Sequence, residues 1–274
     1  MNKPSICKAC GKLMGTATHC PYCGAARNSM ASNITYMKRT LSSPTTSYYK
    51  LILYATIGMY IIETLVGTFL FKQGLINALM SGPKSGALVF LGASSPNLYE
   101  YGHWWVLFTA TFLHGGLMHI GFNMFALAQI GPTIEKATTR TFFVLVYILG
   151  GAAGFGLSAL RGNLSVGGSA GLYGLIGCGI VISFILGNGK DDPMFKVLIQ
   201  WLIYGFVFAL IIPNIDHSAH IGGLLSGLAL GYLWTKVRRS IKFRNVIEKL
   251  AVAAVIATII GLIQSIITYY KYIL

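Results

Sequence analysis

Three stretches of otherwise apolar sequence carry side chains able to attack a carbonyl or move a proton. They are His114-Gly-Gly-Leu-Met-His119-Ile-Gly-Phe-Asn123, Val166-Gly167-Gly168-Ser169-Ala170-Gly171-Leu172-Tyr173-Gly174 and Asp216-His217-Ser218-Ala219-His220-Ile221-Gly222-Gly223. Nucleophilic hydrolysis needs a hydroxyl, a base to take its proton, and donors for the developing oxyanion. Ser169 follows two glycines where a helix is expected to begin, and free amides and the helix dipole favour negative charge there. His220 is the candidate base, and Gly222 and Gly223 let its helix press against a neighbour. His119 and Asn123, four residues apart, share one helix face. Taken singly, each residue has a structural reading: a serine gluing helices, a histidine at an interface, an asparagine bonding across helices. Their coincidence at one depth points to an active site.

A second chemistry sits at the N-terminus. Cys7-Lys-Ala-Cys10-Gly11 and Cys20-Pro-Tyr-Cys23-Gly24 are two Cys-x-x-Cys pairs, each followed by glycine. Four thiolates in tight turns suit a tetrahedral Zn2+ ion. So short a segment cannot build a core, so the metal is expected to supply much of its folding energy. Disulfides would need an oxidising compartment. His19 is surplus to a four-sulfur site. Cys178 lies inside an apolar run and reads as packing.

The elements that must hold these groups follow from composition. Of 274 residues, 54% are hydrophobic and 10% charged, with mean hydropathy +0.65. Soluble domains run near 25% charged, and disorder needs low hydrophobicity, so both classes are excluded. The formal charge of +14 would suggest nucleic acid if it formed one patch. Instead the basic residues are parcelled between apolar runs, so the expected environment is a lipid bilayer, with no nucleic-acid partner. Residues 1–48 are polar and hold no apolar segment with a cleavage site, so no cleavable signal is expected.

About 20 helical residues cross a hydrocarbon core. Spans are expected near 51–71, 115–131, 141–160, 168–187, 194–212, 218–235 and 250–270. The apolar, glycine-broken connection 72–114 reads as an interfacial or re-entrant hairpin. Lys3, Lys8, Lys12, Arg27, Lys38, Arg39, Lys50, Lys136, Arg140, Lys190, Lys196, Lys236, Arg238, Arg239, Lys242, Arg244 and Lys249 share one side, against Lys72, Lys84, Arg161 and Lys271. The positive-inside rule then puts the N-terminus in the cytoplasm and the C-terminus outside. The second, fourth and sixth helices run inward, so His119, Asn123, Ser169 and His220 fall roughly 5–15 Å below the outer surface. Short loops and the cytoplasmic ribbon favour a bacterial plasma membrane, with an organellar membrane as the alternative.

These three motifs, in this order, resemble the rhomboid intramembrane serine proteases over about residues 51–234. The resemblance implies an all-α membrane protein with a six-helix bundle and a seventh C-terminal helix (6+1), here behind a zinc ribbon. It implies cleavage of transmembrane protein substrates near the outer membrane face by a Ser–His dyad, with no metal in catalysis. Ser169 would be the nucleophile and His220 the base. His119, Asn123 and the Ser169 amide would bind the oxyanion, with Gly168 adding another amide. Tyr173 resembles the aromatic packed on the catalytic histidine, Gly223 and Gly227 the close-packing face, and His114 a structural or solvent-path residue. Glu135 resembles a structural carboxylate at the inner end of the second helix.

Two positions depart from the family pattern: Val106 follows Trp104-Trp105 where arginine is frequent, and Ala170 follows the serine where glycine is usual. The expected organisation is a cytoplasmic ribbon over 1–30 open to a cytoplasmic partner, a linker over 31–48, the core over 49–236, and a basic loop with the last helix over 237–274. Glu63, in the first span, has no evident partner. The competing readings are an inactive rhomboid-like protein that binds transmembrane clients, and a transporter with a midplane site.

Overall fold

The computed structural model describes residues 5–7, 13–15, 17–20, 26, 47–95, 101–162, 164–211 and 215–270. The chain forms two compact units, Met1–Thr46 and Ser47–Leu274. In the first, β1 (Ser5–Ile6) pairs antiparallel with β2 (Leu13–Gly15), and an isolated antiparallel bridge joins His19 to Ala26. Each pairing brackets one Cys-x-x-Cys in the sequence. All but the last two residues of the expected 31–48 linker lie outside the described residues.

The second unit is helical. It comprises α1 (Tyr48–Phe69), α2 (Leu75–Ser81), α3 (Ser85–Phe90), α4 (Val106–Thr109), α5 (Leu117–Ala137), α6 (Arg140–Ala159), α7 (Ser169–Leu186), α8 (Pro193–Ile211), α9 (His217–Val237) and α10 (Ile241–Tyr270). Among the described residues α1, α6, α7, α8 and α10 are long and apolar enough to cross a membrane. The other two long helices, α5 and α9, carry the candidate histidines and Asn123, which lowers their hydropathy.

The connection 72–114 is a string of short pieces. α2 and α3 come first, and α4 later runs into a 3-10 turn, Ala110–Phe112. The start of α10 differs from expectation. No basic loop reaches residue 249: helix resumes at Ile241 and includes Lys242, Arg244 and Lys249. Hydropathy stops at a charge, but Lys, Arg and Glu are good helix formers and backbone hydrogen bonding continues through them.

α6, α7 and α9 form the packed centre, α1 lies against α5, and α10 lies against α6 and α4. The α7–α9 contact is close because α9 presents Gly223 and Gly227 one turn apart. A Cβ on either would overlap the Ala170 or Gly174 carbonyl oxygen. Cys178, fully buried, lies further along the same contact, where its backbone faces Gly231. α8 is the loosest long helix, burying only Leu198 and Ala209. At the far end of α1, the Tyr48 and Tyr49 amides each donate at 3.1 Å to the Glu135 carboxylate of α5. A carboxylate there satisfies the helix's orphan donors and its dipole.

Candidate active site

The first two turns of α5, α7 and α9 supply the candidate residues. Ser169 is the first residue of α7, so its amide has no intrahelical partner. His220 occupies the first turn of α9, whose N-cap is Asp216: its carboxylate accepts from the Ala219 amide at 3.0 Å and from the Ser158 hydroxyl. With Asp216 committed to the cap, the imidazole is aimed by other means. Its Nε2 lies 2.9 Å from Ser169 Oγ. Tyr173, one turn beyond the serine, stacks on the imidazole, with centroids 4.2 Å apart and planes 13° off parallel.

The approach to Ser169 is a tight turn. Gly167 has φ +134°, and a Cβ there would lie 2.7 Å from both Cε1 and Nε2 of His119. Only glycine serves at that position. The same point is 3.7 Å from Ser169 Oγ, so the His119 Nε2 edge and the serine hydroxyl flank one small region. His119 Nδ1 accepts from the Gly115 amide at 3.3 Å, so a neutral ring presents Nε2–H as a donor. Asn123, one turn further along α5, is 6% exposed, and its buried Nδ2 has no hydrogen-bond partner among the described residues.

The Gly168 amide has a different partner from the expected oxyanion. It donates at 3.3 Å to Nε2 of His114, a fully buried residue. His119, Asn123 and the Ser169 amide are the other candidate donors. His114 is held in turn by Glu63, whose two carboxylate oxygens each accept the His114 backbone amide at 3.1 Å. Glu63 is fully buried and joins α1 to the turn before α5. Sequence gives Glu63 no partner because the bond spans two elements. The one signal available was a carboxylate inside an apolar span.

The two departures fit their surroundings. Ala170 is fully buried in a cluster with Ala110, Phe155 and Ala219, and its Cβ occupies the space that Gly154 of α6 leaves open. Val106 is fully buried beside Trp105, so no polar anchor arises at that position.

Of the four expected zinc ligands, Cys7 and Cys20 are buried, at 3% and 2% exposure. Cys10 and Cys23 lie outside the described residues. Among the described residues no three His, Cys, Asp or Glu side chains cluster as a metal site. Two buried cysteines beside antiparallel pairings suit a thiolate site in kind. His19 is exposed.

Residues 101–237 match the family model described as the Rhomboid domain. The chain is 33% identical over 181 residues to RHOMBOID-like protein 1 of Arabidopsis thaliana, covering 64% of this chain and 46% of that one. It is 34% identical over 143 residues to Rhomboid protease GluP of Bacillus subtilis, 51% of this chain and 28% of that one. It is 33% identical over 133 residues to Rhomboid-type serine protease 2 of Emericella nidulans, 47% of this chain and 26% of that one. The matches span half or less of these relatives' own length.

Proposed function

The chain belongs to the rhomboid family, and from that premise we propose that it is an intramembrane serine endopeptidase working through Ser169 and His220. The observation that carries the proposal is the 2.9 Å contact between Ser169 Oγ and His220 Nε2. In the proposed reaction Oγ attacks the scissile carbonyl while its proton passes to Nε2. The tetrahedral oxyanion forms toward His119 Nε2–H, Asn123 Nδ2 and the Ser169 amide. His220 then returns the proton to the leaving amine, and water, activated by the same imidazole, cleaves the acyl-enzyme. Tyr173 keeps the ring plane fixed through both transfers.

The proposed substrates are transmembrane segments that unwind locally near the outer face, because a helical peptide bond is hydrogen-bonded and shielded. The loosely packed α8 is the side on which such a segment has the least to displace. The proposed topology is six spans with a seventh and a cytoplasmic N-terminus; five long apolar helices and the distribution of Lys and Arg support it. A fluorophosphonate probe tests the chemistry. Expected is covalent labelling at Ser169 in the full chain and none in His220→Ala. An unlabelled but folded wild type would leave a rhomboid-like protein that only binds transmembrane clients.

For the N-terminal unit, the proposed ligand set is Cys7, Cys10, Cys20 and Cys23 around a structural zinc ion, with a cytoplasmic partner for the ribbon. The double variant Cys7→Ser/Cys10→Ser should lose its bound zinc by elemental analysis while cleaving a model substrate at close to the wild-type rate. Abolished cleavage in a folded core would give the ribbon a direct part in the reaction.

A further inference from the structure

α10 turns isoleucines outward (Ile256, Ile259, Ile260, Ile263, Ile266, Ile267) and buries small residues, among them Ala254, Thr258, Gly261 and Ser265. A small-residue face by itself says only that a neighbour lies close. Here the neighbour is specific. A hydroxyl buried in an apolar helix is costly without a partner. Ser265, fully buried, accepts the Trp105 indole N–H at 2.9 Å. One turn further on, Tyr269 Oη lies 2.7 Å from His103 Nδ1, and the His103 ring stacks on Trp105 with centroids 4.7 Å apart. Either group can donate in this bond, according to the imidazole tautomer. A Cβ on Gly261 would stand 2.8 Å from Trp105 Cβ and 3.0 Å from Thr109 Cγ2, so the α10 backbone closes directly on α4.

α4 and its neighbours hold the turn that carries Ser169. Thr109 Oγ1 donates to the Gly92 carbonyl at 2.6 Å, and a Cβ on Gly92 would lie 2.7 Å from Ser265 Oγ. Just past Thr109, the Ala110 carbonyl accepts the Gly167 amide at 3.0 Å. Two residues past Gly92, Ser94 and Ser165 exchange both backbone hydrogen bonds, at 3.0 and 2.8 Å. Gly167-Gly168-Ser169 is thus tied to the 72–114 connection at two points, Ser94 and Ala110, and α10 packs beside both.

We propose that α10 positions the nucleophile. Ser265 and Tyr269, acting through Trp105 and His103, hold α4 at the height where Ala110 fixes Gly167, and so set the aim of Ser169 at His220. Neither residue touches the reacting atoms; they are positioning residues. The catalytic half of this proposal rests on the protease reading, and the structural half does not.

The test uses the full chain in phosphatidylcholine–phosphatidylglycerol vesicles. Ser265→Ala/Tyr269→Phe is compared with the conservative Ser265→Thr and the outward-facing Ile263→Ala. Amide hydrogen exchange is read over residues 101–112 and 164–169. The double variant should exchange faster in both segments and the two controls should not. With a transmembrane model substrate, its kcat should fall about tenfold at unchanged KM, since small misplacements of reacting groups are costly. The fraction of chains labelled by fluorophosphonate should stay at the wild-type level while labelling slows, and Ser265→Thr should restore the rate. Unchanged exchange at 164–169, or unchanged kcat, overturns the proposal. So does a labelled fraction that falls in step with activity, which signals unfolding. A wild type that neither cleaves nor labels would sink the protease reading instead, and the exchange result would then decide the role of α10.

Discussion

Ser169→Ala is expected to reduce cleavage of a transmembrane substrate by about 10^4-fold or more, the scale on which removing a hydrolase nucleophile acts. The fold should survive. Removing Oγ deletes one hydrogen bond, to His220, worth about 1 kcal/mol. The contacts that hold α7 against α9 run through the Ala170 and Gly174 backbone and the glycines opposite. Alanine also suits the first turn of a helix. The unfolding midpoint in detergent should therefore stay close to wild type while product formation disappears. Cleavage at an undiminished rate, with the midpoint unchanged, would remove Ser169 from the reaction. The same variant separates catalysis from client binding: a transmembrane segment should still be retained by Ser169→Ala if the bundle's substrate path is intact.

Five of the long helices were legible because apolar runs of about 20 residues have few other uses, and α5 and α9 because their polar motifs sit within apolar stretches. The approach of His220 to Ser169 was legible for a related reason. A serine, two histidines and an asparagine in apolar surroundings each require a partner, and their positions near helix starts bring them to one level. What stayed hidden depends on contacts between distant segments. Glu63 meets the His114 amide, and Trp105 meets Ser265, only after the bundle closes. The bond from the Gly168 amide to His114 is equally a tertiary fact. The early start of α10 was hidden by hydropathy itself, which ends at Lys249 although the helix does not. Val106 illustrates the same limit: its neighbours in sequence gave no anchor for that segment, and the anchor lies in α10.

Gly227→Ala should destabilise the core and depress activity together, against the usual sign of such a change. In a helix interior, glycine to alanine ordinarily gains about 1 kcal/mol. At Gly227 the new Cβ would overlap the Gly174 carbonyl oxygen, a backbone atom that no rotamer change can move aside. α9 must then back away from α7, and overpacking of this kind costs about 1–3 kcal/mol. The clash outweighs the propensity gain. Withdrawal of α9 also carries His220 from Ser169, and a misplacement near 1 Å can cost about 100-fold in rate. Gly58→Ala in α1 supplies the control, since nothing lies within 4 Å of a Cβ built there. That variant should be neutral or slightly stabilised, with wild-type cleavage. Unfolding midpoints and kcat measured side by side decide the matter: a Gly227→Ala protein as stable and active as Gly58→Ala would mean that α7 and α9 do not depend on glycine contact to bring serine and imidazole together.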